Sequence, residues 1–98
     1  MAKYIILLTL QIFPDRMAEF EAMMEVEAPL TRAFDGCEAF EIYASPSAPG
    51  EVLFLEHWAS EADSQSYSRW RTERGDMERL GAYFSAPPRT AVIRRMAR

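Results

Sequence analysis

The side chains that could do chemistry in this chain are carboxylates, arginines and aromatic rings. The 98 residues include a single cysteine, Cys37, and a single histidine, His57. One residue of each type cannot build a disulfide scaffold, a zinc finger, an iron–sulfur centre or a multi-histidine metal site. The Gly-x-Gly-x-x-Gly pattern of a dinucleotide-binding loop does not occur either. We therefore expect no metal and no cofactor, and we expect Cys37 and His57 to be structural.

Glu56 is the carboxylate whose neighbours point most clearly to an unusual environment. It alternates with Phe54 and Trp58 on one face of a predicted strand. A carboxylate among large apolar groups has a raised pKa unless a cation pairs with it. Two interpretations stay open. Either an arginine from the second half of the chain neutralises Glu56, or Glu56 is a base that removes a proton from a ligand. Phe54 and Trp58 are core residues in the first case and substrate-binding walls in the second.

Four further side chains recur at helical spacing after that strand: Tyr67, Trp70, Arg71 and Arg74. Residues three and four apart share one broad face of a helix. Ordinary packing explains the two aromatic rings, and a solvated surface explains the two arginines. The alternative is catalytic, since a hydroxyl donor and a guanidinium beside an aromatic wall can stabilise a substrate anion. In that case Tyr67 and Arg74 join Glu56 in catalysis, while Trp70 and Arg71 help to bind the substrate.

Hydrophobic periodicity and turn residues predict the elements that must position these side chains. A buried strand covers residues 3–12. A helix begins at Pro14 or Asp15, and it ends or bends near Ala28 or continues for another turn until Asp35-Gly36 stops it. The remaining predicted elements are a strand over 37–44, a turn over 45–50, a strand over 51–59, a helix after the Ser60 capping box that ends at 74–75, a short helix capped by Asp76 and ended by Pro87-Pro88, and a strand over 89–96.

This β-α-β-β-α-β order predicts an α+β, ferredoxin-like domain that covers residues 1–98. Both helices would pack on one face of an antiparallel sheet. The other face would be bare although its strands are apolar, so we expect an identical subunit to cover it and form a dimeric α+β barrel. A net charge of −4 argues against a nucleic-acid partner.

The longest apolar run, Tyr4–Leu8, is far shorter than the ~20 residues that cross a bilayer, and no small-residue cleavage site follows it. We therefore expect neither a membrane span nor a signal peptide. A single free cysteine suits a reducing compartment, which favours the cytoplasm.

Four stretches, taken in order, resemble a known family. They are Phe13–Phe20 (FPDRMAEF), Pro29–Arg32 (PLTR), Gly36–Tyr43 (GCEAFEIY) and Leu55–Ser60 (LEHWAS). Together they are similar to the antibiotic biosynthesis monooxygenases, small dimeric α+β barrel proteins. The resemblance implies a homodimer in which each subunit holds a pocket between its sheet and its helices.

The same resemblance implies two activities among relatives. Some oxygenate phenols or quinols with molecular oxygen and without flavin, haem or metal, and others degrade haem. Relatives often have a histidine where this chain has Tyr67. Haem-degrading members tend to use an asparagine on the first strand, and this chain contains no asparagine, which argues against haem degradation.

Two functions follow as expectations. The first is a cofactor-independent monooxygenase that oxidises a small phenol, quinol or polyketide-like substrate with molecular oxygen. The second is a non-catalytic dimeric domain that binds a hydrophobic small molecule. Both require the same pocket.

Overall fold

A computed structural model describes residues 4–97. It contains one four-stranded antiparallel sheet of order β2-β3-β1-β4. Lys3, the first residue of the first predicted strand, lies outside the described residues. The elements are β1 (Tyr4–Ile12), a 3-10 turn (Pro14–Arg16), α1 (Met17–Ala33), β2 (Cys37–Ala44), β3 (Glu51–Trp58), α2 (Glu61–Glu73), α3 (Asp76–Gly81) and β4 (Phe84–Ile93).

The helices cover one face of the sheet, which confirms the predicted α+β, ferredoxin-like fold. In β3 every second residue is buried, as the alternation of Phe54, Glu56 and Trp58 predicted. The ring of Phe20 on α1 stacks on Phe54, with 6.2 Å between centroids. The ring of Tyr67 on α2 lies 4.9 Å from that of Trp58. Both helices therefore pack against the same face of β3.

The core lies between α1 and the centre of the sheet. Its fully buried members include Leu10 and Ile12 of β1 and Phe20 of α1. Phe40 of β2 meets Phe54 edge to face, at 5.2 Å between ring centroids. Such aromatic pairs add to the stabilisation that comes from area burial. This rigid layer fixes the strand residues on which the site is built.

The predicted ends of the last helix and the last strand were wrong. The short helix α3 ends at Gly81, and β4 begins at Phe84 and runs through Pro87 and Pro88. β4 is an edge strand, where a residue without an N–H is tolerated. The pairing of β4 with β1 also shifts register between Thr9 and Gln11, opposite the two prolines. The prolines therefore lie in an irregular part of an edge strand.

Pro29 does not end α1, which continues to Ala33. A proline inside a helix leaves the carbonyl four residues earlier without its bond, here that of Glu25. Both Pro29 and Glu25 are exposed, so water can satisfy that carbonyl. The additional turn places Thr31 against α2, where it belongs to the candidate site.

Candidate functional site

A narrow cavity of about 90 Å³ lies under the helices, between β1, β2, β3, α1, α2 and α3. Its apolar wall consists of Leu8, Met23, Met24, Ala28, Phe40, Phe54, Met77 and Leu80. Its polar wall consists of Glu27, Thr31, Glu56, Tyr67, Arg71, Asp76 and Arg79. A mainly apolar lining with a few polar groups suits a ligand with a hydrophobic ring and a hydroxyl group.

Glu56 enters this cavity from the centre of β3 and is 8% exposed. The indole N–H of Trp58 donates to its Oε1 at 3.0 Å. Among residues 4–97 no arginine or histidine forms an ion pair with it, so the alternative of a paired arginine is not what the structure shows. Burial raises the pKa of Glu56, although the Trp58 bond and the charge of Arg71 oppose the shift. Glu56 therefore binds a proton more tightly than an exposed glutamate does.

Arg71, which is 6% exposed, uses all five of its N–H donors within the protein. Nη1 donates to a carboxylate oxygen of Glu27 at 2.5 Å and to one of Asp76 at 2.8 Å. Nη2 donates to the backbone carbonyl of Glu27 at 3.1 Å and to Thr31 at 3.0 Å. Nε donates to the hydroxyl of Tyr67 at 2.9 Å. Arg71 therefore binds α1 to α2 and α3, and it has no donor left for a ligand.

Asp76 is the centre of a charge cluster where α2 meets α3. The prediction that Asp76 caps α3 was wrong. Asp76 is the first residue of the helix, and Gly75 occupies the N-cap with φ +78°. Arg71 and Arg79 donate hydrogen bonds to its carboxylate, and Arg74 forms an ion pair with it. Burial alone would raise the pKa of Asp76, but the bond from Arg71 and the three positive charges hold it below its usual value. The cluster fixes α3 over one side of the cavity.

The hydroxyl group of Tyr67 belongs to the same hydrogen-bond network. Its Oη lies 2.7 Å from Oγ1 of Thr31 and accepts the Nε–H of Arg71. The ring lies between those of Trp58 and Phe34, with centroids 4.9 and 5.3 Å away. Burial raises the pKa of Tyr67, and the bonds from Thr31 and Arg71 partly offset the shift. Tyr67 is thus a neutral, oriented hydroxyl group at the wall of the cavity.

The structure brings together some of the predicted site residues and not others. Phe54, Glu56, Tyr67 and Arg71 line the cavity. Trp58 does not line it, but it orients Glu56 and packs on Tyr67.

Trp70 and Arg74 lie outside the cavity. The guanidinium of Arg74 stacks over the ring of Trp70, 4.7 Å from its centroid, and pairs with Asp76. The structure thus does not place Arg74 or Trp70 where a ligand in this cavity would contact them.

Sequence reasoning missed Thr31, Glu27 and Asp76 as members of the site. Thr31 continues the buried stripe of α1 that contains Met24 and Ala28, at a spacing of three or four residues. A hydroxyl group on an otherwise apolar stripe was the signal that could have found it. Glu27 is one of several glutamates on α1, and only its contact with Arg71 distinguishes it.

The two residues predicted to be structural lie away from the cavity. His57 faces the side of the sheet opposite to Glu56 and Trp58. Burial raises the pKa of the Cys37 thiol, which donates to the carbonyl of Ala39 at 3.7 Å. Residues 4–97 contain no group of three or more potential metal ligands, and none of their helices is long and apolar enough to cross a membrane.

The fold and the cavity define the class: a small ferredoxin-like α+β domain with a small cavity between its sheet and its helices. The model of the antibiotic biosynthesis monooxygenase family matches residues 3–74, which is most of the chain. The protein therefore belongs to the antibiotic biosynthesis monooxygenase family. No curated protein matches the sequence.

Solved structures share the fold at low sequence identity. Rv0793 from Mycobacterium tuberculosis is 19% identical, has a TM-score of 0.82 and is matched over 97% of this chain and 96% of its own. A conserved protein from Methanosarcina mazei Go1 is 18% identical, with a TM-score of 0.86 and coverage of 98% and 95%. An antibiotic biosynthesis monooxygenase is 14% identical, with a TM-score of 0.86 and coverage of 97% and 100%. At these identities the likeness concerns the fold alone.

Proposed function

We propose that this protein is a cofactor-independent monooxygenase that oxidises a small, uncharged phenol or quinol, or a polyketide-like compound, with molecular oxygen. The observation that carries the proposal is Glu56, a buried carboxyl group in the cavity wall with no cationic partner among the described residues. A base with raised proton affinity, held beside an apolar slot, is what removal of a phenolic proton requires. Family membership supports the same reaction class.

The proposed reaction balances without a cofactor. The phenolic proton passes to the Glu56 carboxylate, and the electron-rich phenolate then reduces molecular oxygen. One oxygen atom enters a ring carbon as a carbonyl, that carbon loses its hydrogen, and the second oxygen atom leaves as water. A phenol and oxygen thus give a quinone and water. Tyr67 donates to the substrate oxygen while the negative charge develops.

The cavity must widen to hold even a single ring. Its volume of about 90 Å³ is below the roughly 150 Å³ cavity that holds benzene in an engineered protein. Met23, Met24 and Met77 form much of the wall, and methionine side chains adapt their rotamers to a ligand. Met77 is also 48% exposed, so the mouth of the cavity lies at α3. A larger polyketide-like substrate would extend past Met77 into solvent.

One observation favours the second candidate, a domain that binds a hydrophobic small molecule without reaction. All five N–H donors of Arg71 are already used, and the Tyr67 hydroxyl has partners within the protein. The two functions differ in oxygen uptake. Steady consumption of oxygen with a panel of one-ring phenols, hydroquinols and naphthols supports the monooxygenase. Binding of these compounds without consumption supports the binding domain.

Tyr67→Phe is expected to lower turnover by about 10²–10³-fold, because the donor to the developing anion is lost. It should also lower the free energy of unfolding by about 1–3 kcal/mol, since Arg71 and Thr31 lose a buried partner. An oxygen electrode and urea unfolding measure the two effects. Tyr83→Phe is the matched control, because Tyr83 lies outside the cavity. Equal oxygen uptake by Tyr67→Phe and the wild type would place the anion donor elsewhere.

We also propose that the protein is a homodimer. The sheet face opposite the helices presents Ile5, Leu7, Leu53, Leu55 and Ile93. These residues are only partly covered within one subunit, and Ile93 is 40% exposed. An apolar patch of this kind is stable when an identical sheet packs against it. A separate point, the cytoplasmic location predicted from the single free cysteine, stays a prediction.

Light scattering at micromolar concentration should therefore give about twice the chain mass of 11.3 kDa. Leu55→Glu, in the middle of the patch, should give the monomer mass because it buries a charge in the interface. Glu73→Gln on exposed α2 is the control and should keep the dimer. A wild-type mass of one chain contradicts the proposal.

A further inference from the structure

The hydroxyl groups of Thr31 and Tyr67 carry two hydrogen atoms, but only one of these has a hydrogen-bond acceptor among the described residues. Thr31 is 2% exposed, and its Oγ1 lies 2.7 Å from Oη of Tyr67, with either atom able to donate. Arg71 donates to both oxygens, through Nη2 to Thr31 and through Nε to Tyr67. Each hydroxyl therefore already accepts one hydrogen bond, and one of their two hydrogens fills the contact between them.

The second hydrogen has no acceptor among the described residues in either arrangement. If Tyr67 donates to Thr31, the hydrogen of Thr31 is left over. If Thr31 donates to Tyr67, the phenolic hydrogen of Tyr67 is left over. Both side chains line the cavity, so a ligand oxygen there can accept the remaining hydrogen. A phenol is the stronger acid and hence the better donor to an anion.

We infer that Thr31 is a positioning residue: its hydroxyl donates to Tyr67 when an anionic oxygen occupies the cavity, and so directs the phenolic hydrogen of Tyr67 at that oxygen. This inference rests on the proposed function, in which the cavity holds a phenolate. In this arrangement the Tyr67 oxygen accepts from both Thr31 and Arg71 while it donates to the ligand. Two incoming hydrogen bonds polarise the phenol and make it a stronger donor.

Two features of the structure explain why the arrangement is well defined. Arg71 cannot turn toward a ligand, because its five donors bind Glu27, Asp76, Thr31 and Tyr67. The ring of Tyr67 cannot turn away, because it packs on Trp58. Only the two hydroxyl hydrogens are free to reorient.

The test uses 4-nitrophenol, whose anion absorbs visible light and whose neutral form does not. Its ionisation in the complex reports how well the cavity stabilises a phenolate and requires no turnover. The variants are Thr31→Val, which keeps the shape and removes the hydroxyl, and Thr31→Ser, which keeps the hydroxyl. If Thr31→Val fails to fold, Thr31→Ala replaces it with the same expectation.

Thr31→Val should raise the pKa of bound 4-nitrophenol by about one unit, which is about a tenfold weaker hold on the anion. Thr31→Ser should restore the wild-type value. In a Tyr67→Phe background, Thr31→Val should cause no further shift, because Thr31 acts through Tyr67. The inference is overturned if Thr31→Val leaves the ionisation unchanged, if it shifts the ionisation equally without the Tyr67 hydroxyl, or if 4-nitrophenol does not bind.

The experiment distinguishes a wrong role for Thr31 from a wrong proposed function. If 4-nitrophenol binds with an ionisation that depends on Thr31 while no phenol is ever oxidised, the monooxygenase is wrong and the role of Thr31 stands. If phenols are oxidised and Thr31→Val changes neither turnover nor ionisation, the monooxygenase stands and the role of Thr31 is wrong.

Discussion

Replacing Glu56 by glutamine is expected to lower turnover of a phenolic substrate by about 10²–10⁴-fold, the usual contribution of a positioned general base. Glutamine has nearly the same shape, and its Oε1 can still accept the indole N–H of Trp58 that the structure shows at 3.0 Å. The substitution therefore removes proton affinity and little else. Oxygen uptake measures the effect, and Glu73→Gln on the exposed end of α2 is the control.

The direction in which Glu56→Gln changes the stability follows from the pKa of Glu56. Burial raises the pKa of Glu56 in the folded protein above its unfolded value, so the native state binds the proton more tightly. That contribution to stability is present below the unfolded pKa and is lost as pH rises through the folded pKa. At neutral pH Glu56→Gln should therefore be at least as stable as the wild type in urea. Unchanged turnover by Glu56→Gln would remove Glu56 from the mechanism, and a clear loss of stability at neutral pH would contradict the raised pKa.

Replacing Arg71 by methionine is expected to have the largest effect on stability, a loss of about 3–5 kcal/mol in the free energy of unfolding. Methionine keeps the aliphatic stem, but it leaves the buried carboxylate of Asp76 and the half-buried one of Glu27 without their shared guanidinium. Urea unfolding at fixed protein concentration measures the loss.

Arg74→Met is the matched control for this prediction. Arg74 also pairs with Asp76, but its side chain is 37% exposed, so its removal should cost no more than about 1 kcal/mol. Similar losses of unfolding free energy for Arg71→Met and Arg74→Met would contradict the role of Arg71 as the residue that binds α1 to α2 and α3.

Local patterns were sufficient to predict the elements that form the scaffold. The strict alternation of β3 placed Phe54, Glu56 and Trp58 on one face, and that face is the one the helices cover. The predicted start of β4 was wrong because of Pro87 and Pro88. Proline is unfavourable in strands in general, but an edge strand tolerates it. Edge position depends on the order of strands in the sheet, which is a tertiary property.

The candidate site was predictable in its residue types and less so in its contacts. Arg71 and Arg74 lie three residues apart on one broad helical face, so spacing could not distinguish them. The structure distinguishes them through Glu27 and Thr31, which lie on α1 about 40 residues earlier in the chain. The bond between Trp58 and Glu56 joins residues two apart on the same strand face. It was missed because an arginine partner was the simpler expectation for a buried carboxylate.

The most direct test of the proposed monooxygenase is oxidation of a one-ring phenol under ¹⁸O₂ by the purified protein, with mass spectrometry of the quinone and of the water. The proposal predicts one labelled oxygen atom in each quinone and the other in water, with both signals lost in Glu56→Gln. Phenols that bind but stay unoxidised in air, or a quinone whose new oxygen comes from unlabelled water, would contradict it.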